Sequence, residues 1–452
     1  MLIRASIENF LSFNRKVEIL LTPGRTRSLK HHVYKSGKSR DIDVLKSSIF
    51  YGANASGKSN LIKAIYFLKR FILDGPSRSE SINYQKFKLD AKSYDKDSKI
   101  ELEFKYQNQN YAYGIEFNHS RINEEWLYII NKETEYKIFE RKSQNEEVLL
   151  SFDAIKLSKE ELKRLSYIGL DTKVNEPFLH SSNKRNIKNI NGIDPIVNAY
   201  KWFKDCLTII FPESRFSGME VNIDSDTALK EIYKWFLTKF KTGIVGLETV
   251  KVDFFSKDIY LPEAIKEEIA QTLEIGERAI LSSLDNIRYV VSKKEDTEIE
   301  AMKLMTKHKM KNEDRFINFE INEESDGTQR IMDLIPALME ASKDERVFMI
   351  DEIERSLHPN LSYKMFELFF NESSNVPSQL ICTTHEDNFM NLKLFRKDEI
   401  WFIKKNRSGE STAYSLEEFK PRKDKDIRTG YLKGRFDAVP MISNLNQVPW
   451  KS

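Results

Sequence analysis

The sequence predicts an α/β protein with three parts: an N-terminal lobe of mixed β structure, an α-helical insertion, and a C-terminal lobe built on a parallel sheet. Three observations carry that expectation. A glycine-rich loop at residues 52–60 lies between an apolar run and a helical stretch. Residues 153–312 hold a succession of amphipathic helical segments. From about Asp314 onward, short apolar runs alternate with helical ones, which is how a parallel sheet with crossover helices reads.

Taken in order, Leu2 to Phe10 and Lys99 to Phe104 alternate apolar with polar residues, and Asn110 to Phe117 is rich in aromatics, so all three are read as strands. One helix interrupts them, from about Lys58 to Leu73, apolar at helical spacing and stopped by Gly75-Pro76. The stretches SKEELKRLSYI, IVNAYKWFKDCLTII, DTALKEIYKWFLTKF and PEAIKEEIAQTLEI then read as amphipathic helices. Ser158 with Glu161 forms a candidate capping box, and Pro262 suits a first helical turn. Residues 181–192, polar and basic, read as a loop. No heptad pattern persists, so short helical hairpins are expected rather than a long coiled coil. Beyond Asp314 the expected order is strand (Arg315 to Ile321), helix (Gly327 to Ser342), buried strand (Val347 to Ile350), helix (Leu361 to Phe370), then strands at Gln379 to Thr384 and Glu399 to Ile403. The expected domains are 1–152, 153–313 and 314–452.

Composition narrows the class. The 452 residues are 40% hydrophobic and 31% charged, ordinary for a chain with a real core. Lys plus Arg number 72 against 69 acidic residues, a formal charge of +3, so a nucleic-acid partner would need a local basic patch. Cys206 and Cys382 are the only cysteines, which excludes a disulfide scaffold and points to reducing cytosol. The opening residues lack a signal-peptide core, and no run approaches the roughly 18 apolar residues that cross a bilayer.

Residues 52–59 match Gly-x-x-x-x-Gly-Lys-Ser, the phosphate-loop pattern. Gly52 and Gly57 let the backbone wrap a phosphate where a Cβ would clash. The amides of Ala53, Asn54, Ala55, Ser56 and the helix start, with Asn60 just beyond, then face the anion. Lys58 adds a charge for the β- and γ-phosphates, and the Ser59 hydroxyl is placed to ligate Mg²⁺. Val347 to Ile350 ends in Asp351-Glu352: the first carboxylate would emerge at the strand's C-terminal end and hold Mg²⁺, the second would polarise the attacking water. Gln379 to Thr384 ends in His385, placed to contact a γ-phosphate. Ser325, Gly327, Thr328 and Gln329 open a helix, a position that reads both as an anion site and as an N-cap.

Together these elements resemble the ABC-type ATPase heads of the RecF and SMC group. Gly52 to Ser59 corresponds to Walker A, Ser325 to Gln329 to the signature, Asp351-Glu352 to Walker B with its glutamate, Ser356-Leu357-His358-Pro359 to the D-loop, and His385 to the switch histidine. An Arg often follows Asn-Phe near the start of such heads; here Leu11 stands instead. Phe87 to Asp90, Glu324 to Thr328, Thr384-His385-Glu386 and Tyr431 to Arg435 with Ala438-Val439-Pro440 further resemble bacterial ATPases of abortive-infection systems of the AbiL kind, related to those of the OLD and PARIS groups. The resemblance implies ATP and Mg²⁺ as cofactors and a composite site between two heads, hence a homodimer or higher oligomer. It also implies an effector partner, often a TOPRIM-related nuclease, controlled in anti-phage defence. The choice of ATP over GTP rests on the same resemblance; Asn131-Lys132-Glu133-Thr134 lacks the final Asp of the guanine motif. Gln85 is the candidate Q-loop residue.

The other reading is a DNA-binding repair or maintenance ATPase without an effector. Lys303, Lys307, Lys309 and Lys311, and Arg422, Lys423, Lys425 and Arg428, supply patches that could touch DNA phosphates, although such runs are ordinarily solvated faces. Arg27 and His32 have the Arg-x₄-His spacing of some ribonucleases, but they lie among strands, and chance accounts for them better.

Overall fold

The computed structural model describes the chain except residues 77–80, 145, 146, 156, 186, 188, 189, 191, 214–225, 285, 286, 296, 297, 374, 375, 422–425 and 440–452. Two compact units emerge. One comprises Met1–Pro212, Ala341–Glu354 and Phe366–Ser452; the other comprises Glu213–Glu340 and Arg355–Met365.

Among the described residues the first unit contains two large sheets and a two-stranded ribbon, Val33–Tyr34 with Val44–Leu45. A seven-stranded antiparallel sheet runs in the order Glu147–Ser151, Glu135–Gln144, Ile122–Ile130, Gln109–Phe117, Ser98–Tyr106, Leu2–Glu8, Val17–Leu20. A six-stranded sheet runs Leu207–Ile210, Val347–Ile350, Gln379–Thr383, Ser47–Tyr51, Ile400–Lys405, Ser411–Ser415, parallel except for the last strand. Three of its inner strands, Ser47–Tyr51, Val347–Ile350 and Gln379–Thr383, are buried at every residue, which is why each carries an apolar run with no alternation. The helix Lys58–Asp74 buries Leu61, Ile62, Ala64, Ile65, Leu68, Phe71 and Ile72. These join one core with Ile100, Leu102 and Phe104 of the antiparallel sheet and Phe50, Met349 and Ile381 of the parallel one. The carboxamide of Gln379, wholly buried, ties the sheets: its Oε1 accepts the Leu2 N–H at 2.7 Å, and its Nε2 donates to the carbonyls of Leu2 and Leu45 at 2.9 and 2.8 Å.

Two local expectations change here. Residues 181–184 belong to a helix, Phe178–Lys184. Its first amides are satisfied from a distant strand: Glu125 accepts from Phe178 N at 2.6 Å and Leu179 N at 2.9 Å. The segment read as one helix through Ile210 is instead a helix at Asp194–Lys201, a π turn at Trp202–Cys206, and the parallel strand Leu207–Ile210. Its β-branched Thr208, Ile209 and Ile210 suit the pleated edge beside Val347–Ile350. The capping box of Ser158 and Glu161 is present at the helix Lys159–Asp171.

The second unit is a sheet with helices. Ile244–Asp253, Glu298–Lys309, Arg288–Glu295 and Arg278–Ser282 are successive antiparallel neighbours, and Phe316–Glu320 also pairs with Glu298–Lys309. The first four strands fall where only helices were expected; Thr227–Lys239 and Glu263–Thr272 are the expected helices. The lysines offered as a basic patch lie on the long strand and its turn. Lys303 pairs with Glu320 at 2.5 Å, Lys307 with Glu248 at 3.0 Å and Lys309 with Asp314 at 3.0 Å, so three of its four charges are balanced. Of the other patch, Arg428 pairs with Asp387 at 3.1 Å, and Arg422, Lys423 and Lys425 lie outside the described residues. No helix among the described residues is long and apolar enough to cross a membrane.

Candidate functional site

The strand Ser47–Tyr51 lies between Gln379–Thr383 and Ile400–Lys405 and delivers the chain to the loop at the sheet's carboxyl edge. The loop is tightly walled. A Cβ on Gly52 would stand 2.2 Å from the Ile403 carbonyl oxygen. Gly57 has φ +113°, and a Cβ there would meet Ser411 Oγ at 2.5 Å and Ser12 Oγ at 2.8 Å. Ala55 is also left-handed, at φ 61°. Ser12 and Ser411 brace the turn: Asn60 Nδ2 donates to Ser12 Oγ at 2.8 Å, Ser411 N to Ser12 O at 2.7 Å, and Ser411 Oγ to Ser56 O at 2.6 Å. Lys58 is buried, its Nζ 2.8 Å from Gly52 O and 3.2 Å from Ala53 O. Burial pulls its pKa down to about 8, against the opposing pull of Asp351, Glu354 and Glu352.

The parallel register Ile350↔Cys382 brings Asp351 level with Thr383, and one hydroxyl serves two carboxylate residues. Thr383 Oγ1 donates to Asp351 Oδ1 at 2.5 Å and accepts the Glu352 N–H at 2.8 Å. The Ile353 N–H continues the attachment to Thr383 O at 3.2 Å. Glu352 takes φ 49°, so the backbone turns sharply after the strand. His385 Nε2 lies 4.0 Å from Glu352 Oε1. Its pKa is lowered by burial first and by the Lys58 charge second, which favours a neutral ring at pH 7. Lys58, Asp351, Glu352 and His385 are thus brought together at one edge.

Fit to a nucleotide can be judged from the groups themselves. Ser56 Oγ is buried and makes no hydrogen bond among the described residues, and the close-walled Gly57 is the cradle a Cβ would fill. Ser59 and Asp351 supply hydroxyl and carboxylate oxygens, the hard donors that Mg²⁺ takes.

The signature-like residues belong to the second unit. Thr328 N donates to Ser325 Oγ at 3.2 Å, and the two hydroxyls are 3.0 Å apart, so the N-cap reading is realised. Gln329 Nε2 donates to Glu324 O at 2.8 Å. A Cβ on Gly327 would lie 2.7 Å from the Ser356 carbonyl oxygen, so the turn packs on the backbone that opens Ser356-Leu357-His358-Pro359.

Sequence reasoning missed Ser12, Ser411, Thr383 and Glu354. Only Thr383 carried a usable signal, as a hydroxyl at the end of a strand beside the Asp351 strand. Gln85 contributes a backbone carbonyl, accepting from Leu11 N at 2.8 Å, while its side chain is exposed. His32 is consumed structurally: buried, stacked 3.6 Å from Phe370, with Nδ1 2.9 Å from Glu399 Oε2. That leaves nothing for the ribonuclease-like spacing with Arg27.

No curated protein matches the chain. Among solved structures, an SMC head bound to the C-winged helix domain of ScpA is 14% identical, covering 93% of this chain and 99% of that one at a TM-score of 0.41. The SMC head domain from Thermotoga maritima is 14% identical, covering 92% and 98% at 0.35. An Smc head with an extended coiled coil, bound to the C-terminal domain of ScpA and derived from Pyrococcus furiosus, is 13% identical, covering 93% and 99% at 0.37. A family described as "AAA domain, putative AbiEii toxin, Type IV TA system" matches residues 47–163 and 214–391, more than half the chain and including the phosphate loop and both carboxylates; this protein belongs to that family.

Proposed function

We propose that the chain is a Mg²⁺-dependent ATPase whose nucleotide cycle controls a partner toxin or nuclease in bacterial anti-phage defence, acting in the cytoplasm. The observation that carries the enzymatic half is the shared Thr383 hydroxyl, which orients Asp351 and Glu352 beside Lys58. In this reading the loop amides and Lys58 bind the phosphates. Ser59 and Asp351 would hold Mg²⁺, which when bound offsets phosphate charge. Glu352 accepts a proton from the attacking water, and neutral His385 donates a hydrogen bond toward the γ-phosphate. The products are ADP and phosphate. The family's description as a toxin–antitoxin protein supports the regulatory half.

The same reading makes the site composite. Ser325, Gly327, Thr328 and Gln329 of a second copy close over the nucleotide, and hydrolysis releases them. Glu352→Gln should therefore bind ATP and accumulate as a larger assembly by mass photometry. Hydrolysis at the unmodified rate would remove Glu352 as the base. A pull-down with the neighbouring gene product, with and without ATP, tests the effector partnership.

One observation favours the DNA-maintenance alternative. A cleft of about 980 Å³ is lined by Arg25, Arg27, Lys397 and Lys420 with Glu417 as its acidic member. Duplex DNA that stimulates ATPase, binds in a salt-sensitive way and is lost in Arg25→Glu/Arg27→Glu would support that reading.

A further inference from the structure

We infer that Glu354 is a positioning residue for His385, acting through the main chain rather than on substrate. The kinetic arm of this inference rests on the ATPase reading above. Glu354 stands two residues beyond Glu352, after the left-handed turn. Its Oε1 accepts the His385 N–H at 2.6 Å. The contact is the outermost of a series joining this segment to the neighbouring strand: Thr383 takes Asp351, Glu352 and Ile353, and Glu354 reaches past the strand's end to His385. On the other side, Thr384 N donates to Phe50 O at 3.0 Å, and Glu386 N to Thr384 Oγ1 at 2.9 Å. The His385 amide is thus the junction at which the chain leaves the sheet.

The carboxyl group sits in an environment that does not favour its charge. Burial raises its pKa, the Glu352 charge adds to that, and the bonds from His385 and Thr384 oppose it. Its Oε2 is buried with no hydrogen bond among the described residues. A solvated surface glutamate would have no reason to remain in such a place. One that fixes the loop carrying His385 offsets this cost by holding the imidazole at 4.0 Å from Glu352. The Glu354 charge also reaches Lys58; Glu354→Gln removes that charge and keeps the acceptor for the His385 N–H, so comparison of the Gln and Ala variants separates the two routes.

The experiment compares Glu354→Ala, Glu354→Gln and His385→Ala, singly and combined, in the full chain. Glu354→Ala should lower kcat about ten- to hundredfold, as a displacement approaching 1 Å would, with KM for ATP within about threefold. Combining it with His385→Ala should cost no more than His385→Ala alone, since residues acting as a unit are not additive. Glu354→Gln keeps a carbonyl acceptor and should stay within about threefold of the parent. Losses that multiply in the double variant, or a Glu354→Gln defect as deep as that of Glu354→Ala, would overturn the inference. A second readout needs no turnover. With selective isotope labelling of the seven histidines, the His385 ring signals should shift in Glu354→Ala and return in Glu354→Gln. Unmoved signals in Glu354→Ala would overturn the inference even if the parent protein hydrolyses nothing, an outcome that would instead refute the ATPase reading.

Discussion

Replacing Thr383 by Val keeps the shape of the side chain and deletes one hydroxyl. The oxygen is wholly buried and makes two bonds, one donated to Asp351 at 2.5 Å and one accepted from Glu352 N at 2.8 Å. The first is charge-assisted, of a kind worth roughly 1.5–3 kcal/mol, and losing the second leaves a partly buried N–H unpaired at about 1 kcal/mol. Relaxation toward water recovers part of both, so a net destabilisation of about 3 kcal/mol is expected in denaturant unfolding. The catalytic effect comes from aim: the Asp351 carboxylate and the main chain of Glu352 both lose the group that holds them. A loss of about ten- to hundredfold in kcat, roughly 1.4–2.7 kcal/mol of barrier, is expected. Steady-state ATP turnover on protein shown to be folded by circular dichroism measures it. Thr383→Ser, which restores the hydroxyl, should return kcat to within about threefold of the parent. A folded Thr383→Val that turns over at the parental rate would show that this hydroxyl organises nothing.

Other outcomes are equally specific. Gly57→Ala places a Cβ against two serine hydroxyls at a φ that alanine resists, so it should lose nucleotide binding by calorimetry and about 1–3 kcal/mol of stability. Glu125→Ala removes the acceptor for the Phe178 and Leu179 amides and for the Tyr113 hydroxyl, and takes away the carboxylate 3.8 Å from the buried Arg141, which keeps its bonds to the carbonyls of Thr172, Lys173 and Glu176. It should cost about 3–5 kcal/mol, read from the midpoint of denaturant unfolding. Lys46 is buried, and burial lowers its pKa to about 8. Between pH 8 and the ordinary lysine value of about 10.4 the unfolded chain holds the proton that the fold has shed, so this group's contribution to stability rises with pH, by up to about 1.4 kcal/mol per unit. The stability of Lys46→Met relative to the parent should therefore fall as pH rises from 8 to 10; a difference that stays constant would contradict the assignment.

The parallel sheet was legible because its central strands are buried on both faces, leaving the apolar runs Val347–Ile350 and Leu380–Cys382. The phosphate loop was legible because its glycines and lysine are dictated by local backbone geometry. The second unit's strands were not recognised, although Met302, Leu304 and Thr306 are buried and alternate with Lys303, Met305 and Lys307, the period of two expected of a half-buried strand. The lysines drew the reading toward a basic patch, whereas their partners Glu248 and Glu320 arrive from other strands. The helix at Phe178–Lys184 was hidden for a similar reason: its first amides are satisfied by Glu125, more than fifty residues away. Glu354 carried no local pattern at all. Its meaning depends on which amide its carboxylate reaches.

Gln379 and Thr383 are the two ends of one strand. The first is moored by three hydrogen bonds to Leu2 and Leu45, and the last holds the Asp351 carboxylate and the Glu352 amide. Such a segment behaves as a strut, pinned at its far end and unable to slide along its own axis without breaking the moorings. Within this sheet the Asp351 carboxylate is therefore held from both ends of a neighbouring strand, one end fixed to the antiparallel sheet and the other to the carboxylate itself.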